Sequence, residues 1–226
     1  MIIDHNHPDY IAKRLAIKGK YNGAYYYSIE IGKYFIPTIK TTRSWVTVNV
    51  PGNACDHAIV FIHNNVAPGL YDWLASYKDL VLVCGIPETV EKVKHLGKAI
   101  YLPLSVDVKE VEQYITKKTQ DTAFVGRAGK RRGVSFPLTT HFIENVPREQ
   151  VLKLMAQYRK VYAVGRTAIE AKILNCEVLP YDPRFTDPDR WQVLDSTEAA
   201  KLLQKELDKI DKPKKTTKGK DTGGKK

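Results

Sequence analysis

From about residue 44 onward, short apolar runs alternate with amphipathic segments, and this alternation limits the chain to very few folds. The runs are WVTVNV (45–50), HAIVFIH (57–63), DLVLVCG (79–85), KAIYLPL (98–104), TAFVG (122–126), KVYAVG (160–165) and CEVLPY (176–181). They are rich in Val, Ile and aromatic residues, and several are continuously hydrophobic, as in strands covered on both faces. Between them the spacing predicts helices over 28–36 (ending before Pro37), 70–77, 87–96, 108–118, 147–158, 167–174 and 196–210. Pro87 opens one helix, and Ser196 with Glu198 opens the last. Strands separated by helices of this length read as right-handed βαβ units of a parallel sheet.

The segment LPLSVDV (102–108) divides these units into two nearly equal groups. The predicted fold is α/β, with two small Rossmann-like halves built on parallel sheets. The first half spans 1–105, the second 106–211, and a Lys-rich tail follows at 212–226. One continuous doubly wound sheet is the competing arrangement. A cleft between two such halves is the natural ligand site.

Composition and charge narrow the function classes. Of 226 residues, 43% are hydrophobic and 27% charged, as in an ordinary globular protein. No run of eighteen apolar residues occurs, so no membrane span is expected. The start MIIDHNHPDY lacks the apolar core of a signal peptide. Cys55, Cys84 and Cys176 are far apart and odd in number, which fits reduced thiols in a cytoplasmic setting. The net charge is +11, of which the tail KPKKTTKGKDTGGKK carries +6, leaving a body of only +5. The tail has nothing apolar to bury and is expected to be disordered.

Two strands end in the same tripeptide. AFVGR (123–127) leads into the basic loop AGKRRG, and YAVGR (162–166) leads into a helix. Ligands of parallel α/β sheets bind beyond the carboxyl ends of strands. Gly126 and Gly165 there allow close backbone approach, and Arg127 and Arg166 present forks suited to phosphate or carboxylate. Lys130, Arg131 and Arg132 extend the first corner. Thr167 is placed to cap the helix of the second, and Glu170 shares a helix face with Arg166 and Thr167. A carboxylate so placed either holds ribose hydroxyls or complements the helix dipole. No Walker lysine pattern and no GxGxxG occurs. His63 in FIHNN, beside Asn64 and Asn65, is the leading candidate for a general base, with Asp72 and Asp107 behind it. His5, His7 and Asp9 fit no common zinc spacing. The aromatic run AYYYSIEIGKYF (24–35) reads as packing.

The block FIENVPREQVLKLMAQYRKVYAVGRTAIEAKILNCEVLPYD (142–182) resembles the donor half of GT-B glycosyltransferases. In addition, LPLSVDV resembles that family's inter-domain segment, and FVGRAGKRRG resembles its phosphate loop. The resemblance covers about residues 100–182. It implies a GT-B-like fold and a nucleotide-diphosphate sugar as donor substrate, with no separate cofactor. Arg127 and a cation of 130–132 would contact the diphosphate, and Glu170 the ribose. The chain departs from that pattern at Tyr162, where retaining members carry Glu, and at Asn175, where they carry Gly. The implied activity is glycosyl transfer to an acceptor that the sequence leaves open. One alternative is a non-catalytic nucleotide-binding regulator or inhibitor. Another is a transferase acting on modified bases in DNA, suggested by the basic body and tail.

Overall fold

The computed structural model of the protein describes residues 23–47, 57–62, 72, 74–75, 77–131 and 133–211. His63 with its asparagines, most of the expected 70–77 helix, the N-terminal histidines, Arg132 and the tail lie outside the described residues. Four parallel strands form the first sheet: β1 (Ser44–Thr47), β2 (His57–Ile62), β3 (Asp79–Cys84) and β4 (Lys98–Tyr101), in that spatial order. A second parallel sheet holds β5 (Gln120–Val125), β6 (His141–Ile143), β7 (Tyr158–Tyr162) and β8 (Glu177–Leu179), in the order β6-β5-β7-β8. Two separate four-stranded sheets, not one continuous sheet, are therefore the architecture.

Strand order decides where the connections run. In the first sheet every step goes the same way, so a right-handed crossover carries the β3–β4 connection over one face. Helix α2 (Pro87–Val93) lies there, with Val93 packed beside Ala58, Val60, Leu80 and Leu82. The opposite face, carrying Ile59, Phe61, Val81 and Val83, is covered from elsewhere in the chain, by two distant segments.

The first is α1, which runs as Gly23–Glu30, a π turn Ile31–Phe35 and a last turn Ile36–Thr38. Tyr27, Ile31 and Phe35 are buried, and the Phe35 and Phe61 rings meet edge to face at 5.6 Å. The helix passes through Pro37 instead of ending before it. Around Pro37, which has no N–H, the Ile36 N–H reaches Ile31 O, and the Ile39 N–H reaches Phe35 O at 2.9 Å. The second cover is α6 (Ser196–Asp211), whose stripe Ala199, Leu203 and Leu207 repeats every four residues and is buried. The sequence grouping put this helix with the second half, yet it returns to the first sheet. Gln204 accepts a hydrogen bond from the Lys40 N–H at 2.7 Å, and Asp211 meets Arg43 at 2.8 Å. An uncovered apolar sheet face explains the return.

In the second sheet the step from β5 to β6 runs opposite to the next two. Helices α4 (Arg148–Met155) and α5 (Arg166–Ile173) therefore share one face, over Ala123, Val161 and Val178. The loop 126–140 lies on the other face, where Phe136 meets Phe124, Phe142 and Tyr162 at 5.2, 5.7 and 5.0 Å between ring centres. Strand β6 is absent from the strands read by periodicity, because three residues are too few to show a period. The short helix α3 (Val108–Glu112) follows the crossing between sheets. There Val106 pairs with Asp195 as an isolated parallel bridge, so the outgoing and returning chain cross side by side.

Candidate functional site

The two Val-Gly-Arg corners stand at the carboxyl ends of β5 and β7, which are neighbours. Between them the connections diverge to opposite faces, which opens a crevice of the kind in which α/β sheets hold ligands. The glycines are required for different reasons. Gly165 has φ 63° and ψ −139°, a region that other residues rarely enter. At Gly126 a Cβ would stand 2.9 Å from the Phe124 ring, too close for any side chain.

A basic cluster forms at the first corner. Arg127 and Lys130 are exposed, and neither takes part in an ion pair among the described residues. Lys130 titrates below the ordinary lysine range. Crowding of its ammonium by protein is the leading cause; repulsion from Arg127 and Arg184 adds to it, while Asp182 opposes. Asp182 is itself held by Arg184, at 2.9 Å to Nε and 2.6 Å to Nη2. Three cations thus face one carboxylate, an arrangement that an anion would relieve. Arg184 and Asp182 escaped the sequence reading. Their signal is the Asp-Pro-Arg that follows the last strand, again at a carboxyl end. Tyr181 lies alongside, its phenol pushed up to about 12 by burial and then by Asp182. Arg131 turns aside, donating to Glu144 at 2.8 Å with its guanidinium 4.7 Å from the Phe142 ring centre.

The second corner is built differently. Helix α5 begins at Arg166 with Gly165 as its cap residue, so Thr167 lies inside the first turn, buried, and is not the cap. The Arg166 side chain donates to Glu30 of α1, to Glu170 Oε1 at 3.2 Å and to Ser105 O at 3.1 Å. Glu170 is 0% exposed and also receives Arg148 Nε at 3.2 Å. Arg148 continues to Glu110, and the second oxygen of Glu30 accepts from the Ser196 hydroxyl at 2.7 Å. Two buried arginines and two buried glutamates thus join α1, α4, α5 and the crossing segments. Arg166 and Glu170 are brought together with each other and with the first half, apart from the exposed Arg127 and Lys130.

Asp107 caps α3, accepting from the Glu110 N–H at 3.1 Å, and binds Lys33 at 2.8 Å and Tyr34. Burial alone would raise its pKa, but those three donors hold it below the usual carboxylate range. Asp72 is exposed.

Between the two sheets lies a recess of ≈ 150 Å³, lined by Gly85, Tyr101, Leu104, Ile169, Arg190 and Trp191. The Arg190 guanidinium reaches both Glu88 oxygens, at 2.9 and 2.8 Å, and keeps the Glu88 pKa low. Glu88 belongs to the first turn of α2, so this pair ties the second half to the first.

No family profile and no curated protein matches the chain. What the site can do follows from its own chemistry. Among the described residues no group of three or more His, Cys, Asp or Glu side chains is arranged to hold a metal, and no helix is long and apolar enough to cross a membrane. Convergent cations beside aromatic rings, at the carboxyl ends of parallel strands, suit an organic phosphate.

Proposed function

We propose that the protein is a glycosyltransferase-like protein that binds a nucleotide-diphosphate sugar. The carrying observation is the cluster of Arg127, Lys130 and Arg184 where strand order reverses. In this reading Arg127 and Lys130 hold the diphosphate, with the Gly126 and Gly165 corners leaving room for its close approach. In glycosyl transfer an acceptor hydroxyl attacks the anomeric carbon, and the bond to the diphosphate breaks. Fixed cations stabilise the charge that develops on that leaving group. The acceptor enters from the recess near Tyr101 and Arg190, and His63 is the candidate base. Arg166 and Glu170 act as positioning residues that fix the start of α5 beside the crevice.

Calorimetric titration with UDP, GDP and ADP tests this. Binding of one of them is expected, with Arg127→Ala and Lys130→Ala each weakening it roughly tenfold, the share of a charge-assisted hydrogen bond. No binding at millimolar nucleotide, or affinity unchanged in both variants, would overturn it.

Tyr162 favours a second reading, a regulator that binds the donor without transfer. Its ring packs on Phe136 where retaining enzymes of the resembling family have a carboxylate. Slow release of sugar from a nucleotide-sugar panel marks an enzyme, and its absence with intact binding marks the regulator.

A further inference from the structure

We propose that the face of the second sheet opposite α4 and α5 binds a single nucleic-acid strand. Among the described residues the loop 126–140 and Tyr181 lie over this face, and its aromatic layer stays partly open. Phe124 lies beneath, Phe136 and Tyr162 are half-buried, and Phe142 on the edge strand β6 is 46% exposed. Leu138, at the tip of the covering loop, is fully exposed. Large apolar groups held open to water in one patch mark a contact surface.

The charges beside these rings choose the partner. On this side Glu144 pairs with Arg131, Glu177 with Lys160, and Asp182 with Arg184. Arg127 and Lys130 remain as excess positive charge, and Arg131 sits directly on Phe142. Rings interleaved with cations are the requirement for a flexible polyanion with stacking faces, since bases stack on the rings while phosphates meet the cations. An apolar protein segment would leave Arg127 and Lys130 uncompensated. In a duplex the bases stack on each other and cannot reach Phe142. This surface shares Arg127 and Lys130 with the corner assigned to the diphosphate, but Phe142 takes no part in that reading, so the Phe142 variants test the two separately.

Fluorescence anisotropy of the full chain with labelled oligo(dT) of 20 nucleotides tests it, with a 20-base-pair duplex and oligo(U) as further arms. The expected result is tighter binding of oligo(dT) than of the duplex. Phe142→Ala is expected to weaken binding about tenfold without changing the salt dependence, as loss of one stacked base does. Lys130→Ala is expected to lower the slope of log affinity against log salt by about 0.7, the share of one phosphate on a single strand. Phe142→Trp keeps a stacking ring and is expected to keep affinity, which separates lost stacking from damaged folding. Every variant retains the Lys-rich tail. Both alanine variants binding like the wild type would assign binding to the tail and overturn the proposal. Equal affinity for the duplex, or equal loss in Phe142→Ala and Phe142→Trp, would overturn it as well. Comparison of oligo(U) with oligo(dT) reports whether the strand is RNA or DNA.

Discussion

Replacing Glu170 by Gln probes the buried ion network directly. The glutamate accepts from Arg148 and Arg166 on one oxygen, at 3.2 Å each, and no part of it reaches solvent. Gln keeps the shape and one acceptor but removes the negative charge between two buried guanidinium groups. Removing one partner of a buried pair costs about 3–5 kcal/mol. Glu30 still faces Arg166 and Glu110 still faces Arg148, so the lower end, about 3 kcal/mol, is expected. For a chain of this size each kcal/mol moves the melting temperature by about 2–4 °C, so Tm should fall by roughly 6–12 °C. Thermal unfolding followed by circular dichroism reads this, with urea unfolding as the second measurement. A Tm within about 2 °C of wild type would refute the assignment of Glu170 to holding the halves together. Loss of nucleotide affinity with unchanged Tm would return Glu170 to the ribose role that the sequence resemblance implies.

Gly165→Ala is expected to cost about 1–3 kcal/mol in urea unfolding, because φ 63° with ψ −139° strains any residue bearing a Cβ. The same change at a glycine with ordinary angles would show no such loss. The lowered pKa of Lys130 gives a pH signature for ligand binding. Its cationic form binds the anion, so affinity is full at neutral pH. That affinity declines as pH rises through an alkaline range that starts below the ordinary lysine value of about 10.4. Lys130→Arg should flatten the decline, and calorimetry between neutral and alkaline pH measures it.

Much of this fold was legible because its signals are local. The runs around Ile59 and Val81 announce buried parallel strands by composition alone, and the Ala199, Leu203, Leu207 stripe announces α6. Where α6 packs was not legible. It answers to a vacancy on the first sheet, some hundred residues earlier in the chain, that only strand order reveals. The site divides in the same way. Gly126, Arg127, Gly165 and Arg166 stand at strand ends, which are readable in sequence, but their neighbourhood depended on which strands lie side by side. The spacing of Arg166 and Glu170, one helical turn apart, was itself the signature of an ion pair. The other buried partner of Arg166, Glu30, lies 136 positions away in sequence, beyond any pattern. Lys130 and Arg184 meet only because β5 and β8 are brought into one sheet. Strand β6 and the passage of α1 through Pro37 had no local signal, the one being too short and the other resting on a π turn.

The paired crossing at Val106 and Asp195 bears on how the molecule can move. Its two chain segments are fastened to each other: the Val106 N–H donates to Leu194 O at 3.1 Å, and the Ser196 N–H donates to Val106 O at 3.0 Å. One linker would act as a swivel and allow the lobes to turn about any axis. Two linkers pinned together restrict that turning, and the buried Glu30–Arg166 pair restricts it further. The Glu88–Arg190 pair fastens the two halves a second time, beside the recess.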